Sequence, residues 1–147
     1  MKLSTRSTYG VRAMLALALH QRPTPFMVKE IAEQYDLPAT YLEQLMTLLR
    51  KAGLVTAVRG AHGGYILARP AVEITLAEII EVLEGPLRLA DCPAGAACCG
   101  HPDTCALADV WEDARRALTN SFQQVTLAQL AERHANKQAD AALNYAI

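Results

Sequence analysis

"LPATYLEQLMTLLRKAGLVTAVRGAHGGYILARP", residues 37–70, decides the fold, because its hydrophobic period changes partway along. From Thr40 to Lys51 the apolar residues Leu42, Leu45, Met46 and Leu49 recur every three or four positions, the spacing of one face of a helix. Thr40, Gln44, Thr47 and Lys51 fall on the other face, with Tyr41 and Glu43 beside them. Thr40 and Glu43 fit a capping box near the helix start, and Gly53 suits its C-terminal stop. Beyond Gly53 the pattern turns extended. Val55 and Ala57 alternate with Thr56 and Val58, a glycine-rich stretch follows, and Tyr65-Ile66-Leu67 is β-prone. This predicts a hairpin with its turn region around Gly60 to Gly64 and with Arg59 and His62 at the tip.

Upstream, Pro23-Thr24-Pro25 separates an opening helix, from about Thr5 to His20, from "MVKEIAEQYDL", a short helix with Ile31, Ala32 and Tyr35 at helical spacing. Two helices joined by a three- or four-residue turn and followed by a basic-tipped hairpin make a winged helix. Downstream, "EITLAEIIEVLEGP" reads as a short amphipathic helix ended by Gly85-Pro86. "DCPAGAACCGHPDTC", residues 91–105, then holds all four cysteines of the chain. A long helix follows, capped by Asp103 or Thr104 and running to about Val125. Leu107, Val110, Trp111, Ala114, Leu118, Phe122 and Val125 lie along one stripe. "VTLAQLAERHANKQ" continues as a weaker helix, and the tail after Asn136 is expected to be loose. No internal repeat is read. The expected class is mainly α with a small β-hairpin wing. The expected division is a 1–70 DNA-binding unit, a 71–90 connecting helix, a 91–105 cysteine loop, a 103–135 dimerisation and end-helix region, and a 136–147 tail.

Composition bounds the function. The 147 residues are 52% hydrophobic and 20% charged, enough for a packed core. Neither a secretory signal nor a membrane span is read, which places the chain in the cytoplasm, where structural disulfides are rare. Net charge is −1, but its distribution is uneven. Residues 1–70 carry nine Lys and Arg against four acids, whereas 71–147 carry five against eleven. A positive N-terminal half attracts polyanions. The four histidines, His20, His62, His101 and His134, are scattered, and neither a phosphate-binding loop nor a nucleophile elbow occurs, so no enzyme is expected.

The polar face of the 40–51 helix would suit a solvated surface equally well, but the wing after it favours double-stranded DNA. In such an arrangement the recognition helix fills the major groove while the wing reaches phosphates or the adjacent minor groove. Gly60, Gly63 and Gly64 allow close approach to a sugar-phosphate backbone, and they equally suit a tight turn. The long helix reads as a dimerisation arm, with an intramolecular core helix as the alternative. Two-fold symmetry would match two heads to a palindromic operator. Four clustered thiols leave three readings open on spacing: an iron–sulfur cluster, a zinc site, or bare redox thiols. Against zinc, no C-x-x-C occurs, and adjacent Cys98 and Cys99 are too close for ordinary chelation by a loop.

With these residues in view, the chain resembles the family of winged-helix iron–sulfur transcription regulators of the IscR and NsrR type, from Met1 to about Leu130. The carriers are "MKLSTRSTYGVRAML", "TYLEQLMTLLRKAGLV", "VRGAHGGY", the cysteine loop and Trp111. The resemblance implies a homodimeric transcription regulator, repressor or activator, whose DNA contacts come from Thr40, Tyr41, Glu43 and Gln44, and from Arg59, Gly60, Gly63 and Gly64. Glu43 would act as a specificity gate. His62 departs from the family's usual small residue. The resemblance also implies a cluster, 2Fe-2S ahead of 4Fe-4S, on Cys92, Cys99 and Cys105, with Cys98 as a substitute. The family's histidine ligand is Ala108 here, which leaves Cys98, His101, Asp109 or a partner residue for the fourth position. Two alternatives remain: a cysteine- or zinc-based redox regulator without a cluster, and a small electron-transfer protein.

Overall fold

The computed structural model describes residues 3–20, 24–89 and 106–144. Among these, the chain runs α1 (Thr5–Leu19), α2 (Val28–Tyr35), α3 (Ala39–Lys51), β1 (Val55–Val58), β2 (Gly64–Leu67), α4 (Leu76–Glu84), α5 (Ala106–Gln123) and α6 (Leu127–Asn144), with a 3-10 turn at Ala71–Glu73. The mainly α, hairpin-bearing class expected from the sequence is therefore observed. Met14 of α1, Ile31 of α2, Leu42, Leu45, Met46 and Leu49 of α3, Ile79 and Leu83 of α4, and Leu127 of α6 form one core, each at most 1% exposed. Within the described residues, no helix is long and apolar enough to cross a membrane.

Helix α1 starts where the Ser4 hydroxyl accepts from the Ser7 N–H. It crosses α4 closely because Gly10, which has no side chain, faces the buried Leu83. The α2–α3 turn spans Asp36 to Pro38, with Asp36 in the left-handed region at φ 50° and Leu37 buried beneath it. The capping box expected at Thr40 and Glu43 is not formed. Pro38 is the N-cap residue, and its carbonyl accepts from the Leu42 N–H at 2.9 Å. Proline carries no N–H that would need a partner there, so the helix begins two residues early and Thr40 lies inside its first turn.

The hairpin forms as expected, with Val55 opposite Leu67 and Val58 opposite Gly64. Its alternation is weaker than the sequence suggests, since only Val55 of β1 is buried. Residues 59–63 make the tip, and Gly60 adopts φ 126°, a conformation that side-chain-bearing residues rarely adopt. Phe26 adds a third, one-residue strand, exchanging backbone hydrogen bonds with Tyr65 at 3.0 and 2.9 Å.

A second isolated bridge joins Thr75 to Thr126. The Leu76 N–H donates to the Val125 carbonyl and the Leu127 N–H to the Ile74 carbonyl, both at 2.8 Å. The two bridged segments share a cap motif. Ile74-Thr75-Leu76-Ala77-Glu78 and Val125-Thr126-Leu127-Ala128-Gln129 are two copies of one cap, paired antiparallel. Each threonine caps its helix, and each Glu or Gln three residues later accepts from that threonine's N–H. The expected loose tail is also corrected, because α6 continues to Asn144. Ala135, Ala139, Ala141 and Ala142 favour helix intrinsically, and the polar residues among them need no burial.

Candidate nucleic-acid interface and cysteine segment

Helix α3 is held by its apolar side and presents the other. Thr40, Glu43, Gln44 and Lys51 are exposed, as the 3.6-residue period requires. Two of the expected contact residues are less free. Thr47 is half-buried, and its hydroxyl donates to the Glu43 carbonyl at 2.9 Å, within its own helix. Tyr41 is half-buried against the core, where its ring meets Tyr9 of α1 edge-on, with centroids 6.1 Å apart. Tyr9 is a residue the sequence reading passed over. A heptad-like stripe identifies core positions but not an aromatic that spans core and surface.

In the wing, Arg59, Gly60 and His62 are exposed, and Gly63 and Gly64 are half-buried. Arg50, Lys51 and Arg59 have no ion-pair partner within the described residues, so α3's last turn and the wing tip keep their positive charge for an outside anion. Gly64 has an internal reason to be glycine: a Cβ there would lie 2.5 Å from the Phe26 carbonyl oxygen. His62 borders a shallow cleft of about 150 Å³ with His20 and Glu30, where the wing meets the start of α2. The structure thus joins the wing histidine to α1 and α2 as well as placing it on the surface. His20 itself stacks on Phe26 at 4.3 Å, and its Nε2 pairs with the Thr24 carbonyl.

The expected ligands Cys92, Cys98, Cys99 and Cys105, and the fourth-ligand candidate His101, lie outside the described residues. Asp109, the other candidate, sits exposed in the first turn of α5. The described residues contain no group of three or more His, Cys, Asp or Glu able to hold a metal ion. Helix α5 buries no residue, and Leu107, Val110 and Trp111 are 56%, 56% and 39% exposed. Farther along the same stripe, Ala114, Leu118 and Phe122 are half-buried, so the arm rests on the body at its C-terminal end and leaves it at its N-terminal end.

Three comparisons place this geometry among known proteins. "Protein rrf2" of Nitratidesulfovibrio vulgaris is 38% identical over 130 residues, covering 88% of this chain and 87% of its own. The structure of CymR, the global cysteine regulator of B. subtilis, superposes with a TM-score of 0.76 at 37% identity, over 90% of this chain and 98% of that one. The structure of T. potens IscR superposes with a TM-score of 0.77 at 40% identity, over 94% and 91%. The sequence model of the Rrf2 family, described as an iron-dependent transcriptional regulator, matches residues 3–133. With a winged helix, an exposed polar face on α3 and a match across nearly the whole length, this chain belongs to the Rrf2 family of DNA-binding transcriptional regulators, not to a family of enzymes.

Proposed function

We propose that the chain is a homodimeric repressor whose operator binding is controlled by an iron–sulfur cluster held in the 91–105 segment. The observation that carries this reading is the arm. Helix α5 begins at the residue after Cys105, and its first turns expose Leu107, Val110 and Trp111. An apolar stretch left exposed among the described residues suits a second copy of the same helix, and that pairing would set two recognition helices on one palindromic operator.

Within this reading, residues 1–70 contact DNA and 71–90 connect them to the cysteine segment. Thr40, Glu43 and Gln44 face the base edges, Lys51 meets phosphate, and Arg59 with Gly60 and His62 forms the wing contact. Tyr41 props the helix from Tyr9 and offers its edge to the backbone. Cys92, Cys99 and Cys105 would hold the cluster, with Cys98, His101, Asp109 or a partner residue in fourth place. Thiolates on a glycine- and proline-broken loop fit such a group, 2Fe-2S ahead of 4Fe-4S. A bound cluster supplies redox and ligand-loss chemistry at the start of α5. The chain's own part is to hold α5 at one pitch while the loop is tied and to release it otherwise.

Anaerobic purification followed by iron and sulfide counts, an absorption spectrum and gel shifts on an operator tests this directly. The expected result is a coloured, iron-containing dimer whose operator affinity changes about 5- to 150-fold on cluster loss. A colourless, iron-free chain that still binds operator would overturn cluster control. A second reading, a cysteine- or zinc-based regulator without a cluster, is favoured by the likeness to CymR, the global cysteine regulator of B. subtilis. It predicts thiol-dependent binding with bare or zinc-loaded cysteines.

A further inference from the structure

We propose that Arg69 is a positioning residue that makes the wing and the α5–α6 turn move as one unit, an inference that rests on reading α5 as the arm between two heads. Arg69 stands two residues past the end of β2, where the chain leaves the wing. One of its guanidinium nitrogens donates to the Glu73 carbonyl at 3.1 Å, and the other pairs with Glu78. The second oxygen of Glu78 accepts from both the backbone N–H and the hydroxyl of Thr75, at 2.8 and 3.1 Å. Thr75 is the residue bridged to Thr126, in the turn where α5 ends and α6 begins.

A continuous polar path therefore runs from the wing's exit to the far end of the arm. Both of its ends are fixed. The Ala68 N–H donates to the Leu54 carbonyl at 3.1 Å, closing the wing's base. Ile74 and Leu127, on either side of the bridge, are 0% and 1% exposed. The arm's other end, at Ala106, directly follows Cys105 in the sequence. A displacement there makes α5 a lever with the Thr75–Thr126 bridge as its fulcrum, and Arg69 carries the rotation to the wing.

The pair's exposure supports a geometric role over a stabilising one. The Arg69 and Glu78 side chains are 36% and 39% exposed, and ion pairs in such settings contribute little to folding. A planar guanidinium aimed at two acceptors nevertheless fixes an angle that a lysine ammonium cannot.

Amide exchange in the full-length chain tests this, with and without a duplex selected by the wild type from a random pool. Duplex binding is expected to slow exchange at the Leu127 amide by about fivefold or more in wild type, and by less than about twofold in Arg69→Gln. Arg69→Lys should behave like Arg69→Gln, and Arg133→Gln, an exposed charge control, like wild type. Glu78→Gln provides a second variant should Arg69→Gln fold poorly, and it should break the same transmission. A merely structural Arg69 would speed exchange in the free protein yet keep the duplex-induced slowing. That result, or a wild type that binds duplex without slowing Leu127, overturns the proposal. A monomeric or iron-free wild type overturns the arm or cluster reading instead and leaves the exchange result to stand on its own.

Discussion

Arg59 sits at the wing tip with nothing among the described residues to neutralise it, and its charge is therefore available to a polyanion. Replacing it with alanine is expected to cost about 1–3 kcal/mol of operator binding and to flatten the salt dependence by about one unit of slope. Binding isotherms at several salt concentrations check both; an unchanged slope would remove the wing from the contact. Gly64 is limited from inside the protein. An alanine Cβ would press on the Phe26 carbonyl, which is fixed by its own exchange of hydrogen bonds with Tyr65. Gly64→Ala is expected to destabilise the fold by about 1–3 kcal/mol, read by urea denaturation. The sequence shows that glycines crowd this turn. It does not show that one of them is required by a neighbouring backbone 38 positions earlier, because no local pattern encodes the Phe26–Tyr65 pairing.

At the scale of elements, the caps are instructive. The same threonine-x-x-Glu/Gln rule points to Thr40–Glu43, where it fails, and fits Thr75–Glu78 and Thr126–Gln129, where it holds. Pro38 makes the difference by starting α3 ahead of Thr40. The core face of α3, the wing and the stop at Gly53 were legible because period and turn chemistry are local properties. The Thr75–Thr126 bridge was not, because it joins segments on either side of the cysteine loop. Glu78 gives this junction a pH dependence. Its burial disfavours the charged form, but hydrogen bonds from Thr75 and Arg69 and the Arg69 charge outweigh that and hold its carboxyl below the usual carboxylate range. A folded-state pKa below the unfolded value means that the stabilisation is complete above the unfolded pKa and is lost as pH falls through the folded one. Denaturation of wild type and Glu78→Gln should therefore differ at neutral pH and draw together as pH falls from the free carboxyl range through the lower folded value. Curves that stay apart in acid would contradict this assignment.

For the whole molecule, the basic half and the acidic half carry different elements. Residues 1–70 hold the polar face and wing, while the acidic remainder carries the arm, where Glu112 and Asp113 pair with Arg115 and Arg116. Trp111→Asp would place a charge in the exposed stripe of α5. The expected outcome is a folded monomer with unchanged helix content and much weaker operator binding, measured by sedimentation and gel shift. A dimer that survives this change would move the interface elsewhere. The arm's apolar face was readable from its period alone, whereas its anchorage at one end depends on the Thr75–Thr126 pairing and the burial of Leu127, long-range features that only the folded chain displays. The aromatic contact between Tyr9 and Tyr41 also bears on how such a protein can diversify. A lineage drifting toward a new target site can vary Thr40, Glu43 or Gln44 at little thermodynamic penalty, but exchanging Tyr41 would loosen α1 at the same time. New promoter preferences should therefore arise around that tyrosine before they arise at it.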